Sequence, residues 1–105
     1  MDVGVDIIRV KRFKALKKGD FGHWKRVFTK REWNYAFKKA GAAECLAGIF
    51  AAKEAALKAS GVRNRALIFF EILHTASGKP FFKNRRLKVS ISHDGVYAVA
   101  AAIRL

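Results

Sequence analysis

Residues 50–59, Phe50-Ala51-Ala52-Lys53-Glu54-Ala55-Ala56-Leu57-Lys58-Ala59, decide how this chain folds. At 100° per residue, Leu46, Ile49, Phe50 and Leu57 fall on one arc, the buried face of an amphipathic helix. Lys53 lies near the centre of that arc and Glu54 at its edge. Glu54 and Lys58 are four apart and so stand one turn from each other. Charges on or beside an apolar stripe are costly unless something pairs with them. Taken alone, the stretch reads as a Glu54–Lys58 surface pair worth about 0.2–0.5 kcal/mol. Lys53 would then snorkel out of a shallow core.

Working outward, 105 residues are the size of a single domain, here taken as residues 1–105, and 51% hydrophobic content is enough for a packed core. The charge is lopsided: 22 Lys+Arg against 8 Asp+Glu leave +14. Such a balance calls for an acidic partner, whether nucleic acid, an anionic membrane surface, a polyphosphate ligand or an acidic protein. One cysteine, Cys45, excludes an intrachain disulfide and fits a reducing compartment. The first residues carry no basic region before a long apolar run, which is not the pattern of a signal peptide. No apolar stretch reaches membrane-spanning length. The cytoplasm is the expected location.

Upstream of the helix, Val3, Val5 and Ile7 alternate with Asp2, Gly4 and Asp6, giving a short strand with two carboxylates on its polar side. A helix is expected over residues 8–18, with Val10, Phe13 and Leu16 inward and Arg9, Lys11, Arg12, Lys14, Lys17 and Lys18 forming a basic surface. Gly19-Asp20-Phe21-Gly22 breaks it. Thr29-Lys30-Arg31-Glu32 is a capping box that starts a second helix, with Gly41 as its stop. The central helix runs from about Ala43 to Ala59, and Gly61 ends it. Downstream the period changes. Residues 66–73 read as a strand, Ser77-Gly78-Lys79-Pro80 as a turn, and Phe81-Phe82 as the start of a return strand. Leu87, Val89 and Ile91 mark another strand, His93-Asp94-Gly95 a tight connection, and residues 96–103 a last strand. The fold class expected is α+β, helices packed on a small antiparallel sheet.

Three blocks in order now resemble the 4′-phosphopantetheinyl transferases of the holo-acyl-carrier-protein synthase type. The first is Gly4-Val5-Asp6-Ile7-Ile8-Arg9-Val10-Lys11-Arg12-Phe13. The second is Leu46-Ala47-Gly48 followed by Phe50 to Ala55, Lys58 and Ala59. The third is Ser90-Ile91-Ser92-His93 with Tyr97 to Ala100. Arg26-Val27-Phe28-Thr29 with Glu32 and Tyr35, and the turn Gly78-Lys79-Pro80, match as well. A lone Lys-Glu-Ala-x-x-Lys is a weak signal; three ordered blocks spanning nearly the whole chain are a specific one.

The resemblance implies transfer of 4′-phosphopantetheine from coenzyme A to a serine of apo-acyl carrier protein in fatty acid biosynthesis, with release of adenosine 3′,5′-bisphosphate. It implies Mg²⁺ held by Asp6 and Glu54, which suits an ion that prefers a couple of carboxylates plus waters and phosphate oxygens. Lys58 falls at the phosphates, helping either to activate the serine or to stabilise the leaving group. His93 falls near the cofactor, and Asp94 orients it or shares in proton transfer. Ser60 and Gly61 follow Lys58 where the family has its phosphate-facing loop. Arg12, Leu16 and Arg26 match the surface that docks the acidic carrier, and the family's homotrimer places cofactor sites between subunits. Read without the resemblance, Asp6 is a helix cap, His93 a turn residue and the basic first segment a solvated face.

The pattern is broken at three places. Ile49 stands where the family usually has an arginine that helps hold coenzyme A, with Arg63 and Arg65 as possible substitutes. Arg9 replaces a common acidic residue near Asp6. The loop after the central helix is reduced to Ser60-Gly61, and little remains between Phe82 and Leu87. A competing class, a small basic nucleic-acid-binding protein, would use the +14 charge with Trp24 and Trp33, but it leaves Asp6 and Glu54 without a role.

Overall fold

The computed structural model describes residues 1–62 and 64–105. Among the described residues, five strands and two α-helices appear in the order β1 (Asp2–Arg9), α1 (Lys30–Phe37), α2 (Ala42–Ser60), β2 (Ile72–His74), β3 (Pro80–Phe82), β4 (Leu87–Asp94) and β5 (Tyr97–Arg104). Three 3₁₀ turns, Val10–Phe13, Lys18–His23 and Leu67–Phe69, join them. Strands β1, β5 and β4 form one antiparallel sheet in that spatial order, and β2 pairs with β3 in a second. The architecture is α+β, as the sequence pattern indicates. No helix among the described residues is long and apolar enough to cross a membrane.

Helix α2 lies across one face of the three-stranded sheet and is the centre of the core. Its face toward the sheet is built from small residues: Ala51, Ala52, Ala55, Ala56 and Ala59 are all buried. Opposite them stand Ala98, Ala100 and Ala102 of β5, also buried. The approach is closest at Gly4, where an added Cβ would run into the Ala55 carbonyl and come within 2.8 Å of Ala59 N. Gly61 closes the helix in the left-handed conformation, φ 70°, which a glycine adopts without steric cost.

The sheet turns the alternation of β1 to an unusual use. Its polar side, Gly4 and Asp6, meets α2. Its apolar side is the open one: Val3, Val5 and Ile7 are 70%, 59% and 61% exposed. By register Ile103, Ala101 and Val99 of β5 lie beside them on that outer face.

Four expectations are corrected. The segment 8–18 is not an α-helix: Ile8 and Arg9 continue the pairing with Ala98 and Tyr97, and Val10 N donates to Val96 O at 2.8 Å. The inward residues Val10, Phe13 and Leu16 recur every three positions, the 3₁₀ rather than the α period. Second, Gly19 to Gly22 lie within a 3₁₀ turn instead of forming a plain break. Third, α1 ends at Phe37, and Gly41 is the N-cap of α2 rather than the stop of α1. Fourth, residues 66–73 give only β2 and the turn Leu67–Phe69. An apolar run alone does not fix its own conformation, and here Lys53 captures the Leu67 and Phe70 carbonyls. The capping box of α1 forms as expected, with Thr29 N donating to Glu32 Oε1 at 2.7 Å and Glu32 N to Thr29 Oγ1 at 3.2 Å.

Candidate active site

The close packing at Gly4 carries Asp6, two residues along the same face of β1, to the flank of α2 that holds Glu54 and Lys58. Lys58 Nζ donates to the Val5 carbonyl at 2.9 Å and to Asp6 Oδ1 at 3.3 Å. The salt bridge of Lys58 is therefore with Asp6 rather than with its helical neighbour Glu54. Arg12 comes from the 3₁₀ turn after β1 and sets its guanidinium 5.2 Å from the Phe50 ring, one turn before Glu54. Glu54 holds its proton more tightly than a free glutamate. Burial contributes most and the neighbouring Asp6 charge adds to it, while Lys58 and Arg12 oppose them. Two carboxylates and two cations thus converge where β1 crosses α2.

The donor set is what a hard divalent cation takes. Both ligating candidates are oxygen donors, and two carboxylates are the usual protein share of a Mg²⁺ shell completed by water and phosphate. Among the described residues no group of three or more His, Cys, Asp and Glu gathers. A cation held between the two carboxylates would oppose both the burial and the Asp6 charge that raise the proton affinity of Glu54.

Lys53, at the centre of the apolar arc, does not snorkel. Its side chain and that of Glu32 are both fully buried, Nζ to Oε2 2.8 Å. Lys53 also donates to Phe70 O at 3.0 Å and Leu67 O at 3.3 Å, and Glu32 Oε2 accepts Ile72 N at 2.7 Å. Burial raises the proton affinity of Glu32 and lowers that of Lys53, each shift opposed by the partner's charge. The pair fastens α1, α2 and the segment before β2 to one another. The sequence pattern does not announce the pair beyond one signal: a lysine amid apolar residues requires a carboxylate, and Glu32 is legible only as part of the capping box.

His93 and Asp94 stand elsewhere. Adjacent strand residues face opposite ways. His93 therefore points to the α2 side, where its Nε2 lies 2.9 Å from Glu44 O, and Asp94 points to the outer side. Asp94 cannot orient the His93 ring within this chain, contrary to expectation. Glu44 precedes Glu54 by ten residues, about 15 Å of helix. One chain alone consequently does not bring His93 to Asp6, Glu54 and Lys58. Gly48 makes room for it, since a Cβ there would sit 3.1 Å from His93 Nε2.

Beside His93 opens a cleft of about 410 Å³ lined by Tyr35, Lys39, Gly48, Ile49 and His74 among others. Tyr35 and His74 stack at 3.8 Å with an 8° interplanar angle, and Lys39 Nζ lies 4.7 Å from the Tyr35 ring centre. Burial, then the Lys39 charge, makes His74 harder to protonate. Nothing in the sequence alone pointed to this stack. Ser60 caps the end of α2, its Oγ donating to Leu57 O at 2.9 Å, and Gly61 follows it. Of the expected docking residues, Arg26 is exposed and Leu16 half-buried against the core. Arg9 faces Tyr97 on the outer side of the sheet, away from Asp6. Arg65 lies 5.0 Å from the Phe69 ring, and Arg63 lies outside the described residues.

A family model described as the 4′-phosphopantetheinyl transferase superfamily matches residues 2–102. A holo-acyl-carrier-protein synthase of Fusobacterium nucleatum is 37% identical over 120 aligned positions, covering 98% of this chain and 97% of that protein. Two solved structures share the fold. The Helicobacter pylori synthase in complex with coenzyme A has a TM-score of 0.81 at 25% identity, covering 98% of this chain and 99% of that one. The Bacillus anthracis synthase in complex with coenzyme A (3′,5′-ADP) has a TM-score of 0.78 at 31% identity, covering 96% and 92%. The chain belongs to the 4′-phosphopantetheinyl transferase superfamily and is an enzyme of that family.

Proposed function

We propose that this chain moves 4′-phosphopantetheine from coenzyme A to a serine of an apo-acyl carrier protein, in fatty acid biosynthesis, with Mg²⁺ as cofactor. The serine oxygen forms the new P–O bond as the pyrophosphate link breaks, and adenosine 3′,5′-bisphosphate leaves with the bridging oxygen. The observation that carries the reading is the convergence of Asp6, Glu54 and Lys58 at the β1–α2 crossing.

Asp6 and Glu54 are the residues that would hold the metal. When bound, Mg²⁺ neutralises charge on the pyrophosphate oxygens. Lys58, anchored on Asp6 and Val5 O, stands ready as a phosphate-side cation, and the end of α2 at Ser60 and Gly61 borders it. Arg12, Leu16 and Arg26 form the surface for the acidic carrier, where a guanidinium can fork onto a carboxylate. The cytoplasm, which supplies coenzyme A, is the compartment this reading needs.

A homotrimer completes the site. The outer face of the sheet exposes Val3, Val5 and Ile7 together, an apolar surface that a second copy of the chain covers. His93, remote from Asp6 in its own chain, then serves a neighbour's metal site, while Asp94 stays on the outer side of the sheet. The cleft beside His93 suits the nucleotide end of coenzyme A: Tyr35 and His74 offer flat rings for the base, and Lys39 offers a cation where Ile49 has none. Mixing inactive His93→Ala with inactive Glu54→Ala tests the shared site through release of adenosine 3′,5′-bisphosphate. Activity returns in the mixture if subunits share the site, and stays absent if each chain works alone.

A further inference from the structure

Phe69 is 65% exposed, while the next residue, Phe70, is 7% exposed. The cause lies in how its 3₁₀ turn is held. Lys53 Nζ takes the carbonyls of Leu67 and Phe70, and Ile68 N donates to Arg26 O at 3.2 Å. With both flanks tied down, the ring of Phe69 is turned to solvent, and the Arg65 guanidinium lies over it, 5.0 Å from its centre. A large aromatic left out of a core that has taken in Phe13, Phe28, Phe70 and Phe82 is an available anchor.

The turn bearing Phe69 is fixed at two points: its Leu67 and Phe70 carbonyls on Lys53 of α2, and its Ile68 N–H on the carbonyl of Arg26, one of the expected docking residues. On α2 itself, at 100° per residue, the half-buried Leu57 and Phe50 stand between Lys53 and Glu54. Two guanidinium groups lie on aromatic rings here, Arg65 on Phe69 and Arg12 on Phe50, and the exposed Arg26 is joined to the turn through its carbonyl.

Resting on the transferase reading above, we propose that Phe69 and Arg65 extend the docking surface, with Phe69 inserting into an apolar socket on the acidic carrier protein while Arg65, Arg26 and Arg12 pair with the carboxylates around that socket. Charge complementarity selects this occupant: an exposed aromatic under a guanidinium, on a chain of net charge +14, repels a second copy of itself and attracts an acidic protein. A rigid aromatic flanked by arginines is also the composition that dominates protein interfaces.

Steady-state kinetics of Phe69→Ser and Arg65→Glu, with apo-carrier and coenzyme A varied separately, test the proposal. Each substitution raises the KM for apo-carrier about tenfold, the equivalent of about 1.4 kcal/mol, and Phe69→Ser leaves kcat and the KM for coenzyme A unchanged. The urea midpoint of Phe69→Ser stays at the wild-type value because the ring is not part of the core. An unchanged carrier KM overturns the proposal, as does an equal rise in both KM values. A change in oligomer mass by light scattering overturns it as well, assigning Phe69 to a subunit contact. Failure of the transferase reading shows separately, as absence of transfer by the wild-type chain. In that case, calorimetric titration of apo-carrier into wild type and Phe69→Ser decides: about tenfold weaker binding by the variant supports the docking role, and equal or absent binding refutes it.

Discussion

Replacing Lys53 by methionine keeps the length and apolar stem of the side chain and removes only its charge and donors. In the native protein all three ammonium hydrogens have partners: Glu32 Oε2 at 2.8 Å, Phe70 O at 3.0 Å and Leu67 O at 3.3 Å. The variant leaves a carboxylate at zero exposure without its counter-ion, plus two carbonyls short of a donor. Breaking a buried pair from one side costs about 3–5 kcal/mol, a large share of the roughly 5–15 kcal/mol that holds a domain folded. The loss depends on pH, and its sign is fixed. Burial already raises the proton affinity of Glu32, and without Lys53 nothing with a positive charge opposes that rise. A carboxyl whose folded pKa lies above its unfolded value adds stability below the unfolded pKa, and that contribution disappears as pH climbs through the folded one. Lys53→Met is therefore closer to wild type at pH 5 than at pH 7.5. Urea unfolding followed by tryptophan fluorescence measures both, since Trp33 sits on α1 beside Glu32. A loss below about 1 kcal/mol at pH 7.5, or a loss that does not shrink on acidification, would refute the idea that the pair is a buried structural clamp.

Other outcomes follow from the same geometry. In metal-free protein at neutral pH, Glu54→Gln raises the melting temperature, because it removes an ionised group that burial and Asp6 disfavour; the gain vanishes below the ordinary glutamate range, where Glu54 is protonated in both folded and unfolded chains. Differential scanning calorimetry across pH checks it. Gly4→Ala pushes β1 off α2 at the Ala55 carbonyl and costs about 1–3 kcal/mol or more, with transfer activity falling further than stability because Asp6 moves with the strand. Val5→Glu charges the open face of the sheet; under the proposed trimeric assembly it yields monomers by sedimentation, with activity lost in parallel.

Much of this arrangement was legible in the sequence where local rules and burial agree. The capping box at Thr29 and Glu32, the glycine end of α2 and the alternation of β4 each follow from a short pattern, and each formed. Where tertiary contacts override local preference, the pattern misled. Residues 66–73 are apolar enough for a strand, yet Lys53 draws two of their carbonyls into the core, and the chain turns. Val10, Phe13 and Leu16 fit a helical stripe, but continued pairing of β1 with β5 delays the turn and leaves a 3₁₀ segment. At the site, Asp6, Glu54 and Lys58 come together where β1 crosses α2. The buried role of Lys53 did not follow from its own helix, because its partner Glu32 lies 21 positions earlier. Similarly, the alternation of β1 reveals two faces without saying that the apolar one is left open.

The transfer itself is tested most directly by the intact mass of an apo-acyl carrier protein after incubation with coenzyme A, Mg²⁺ and this chain. The carrier is expected to gain the mass of one phosphopantetheine; Ser→Ala at the carrier's acceptor abolishes the gain, and folded Glu54→Ala produces none. An unchanged carrier mass with wild-type protein, or an undiminished gain with Glu54→Ala, would contradict the transferase reading.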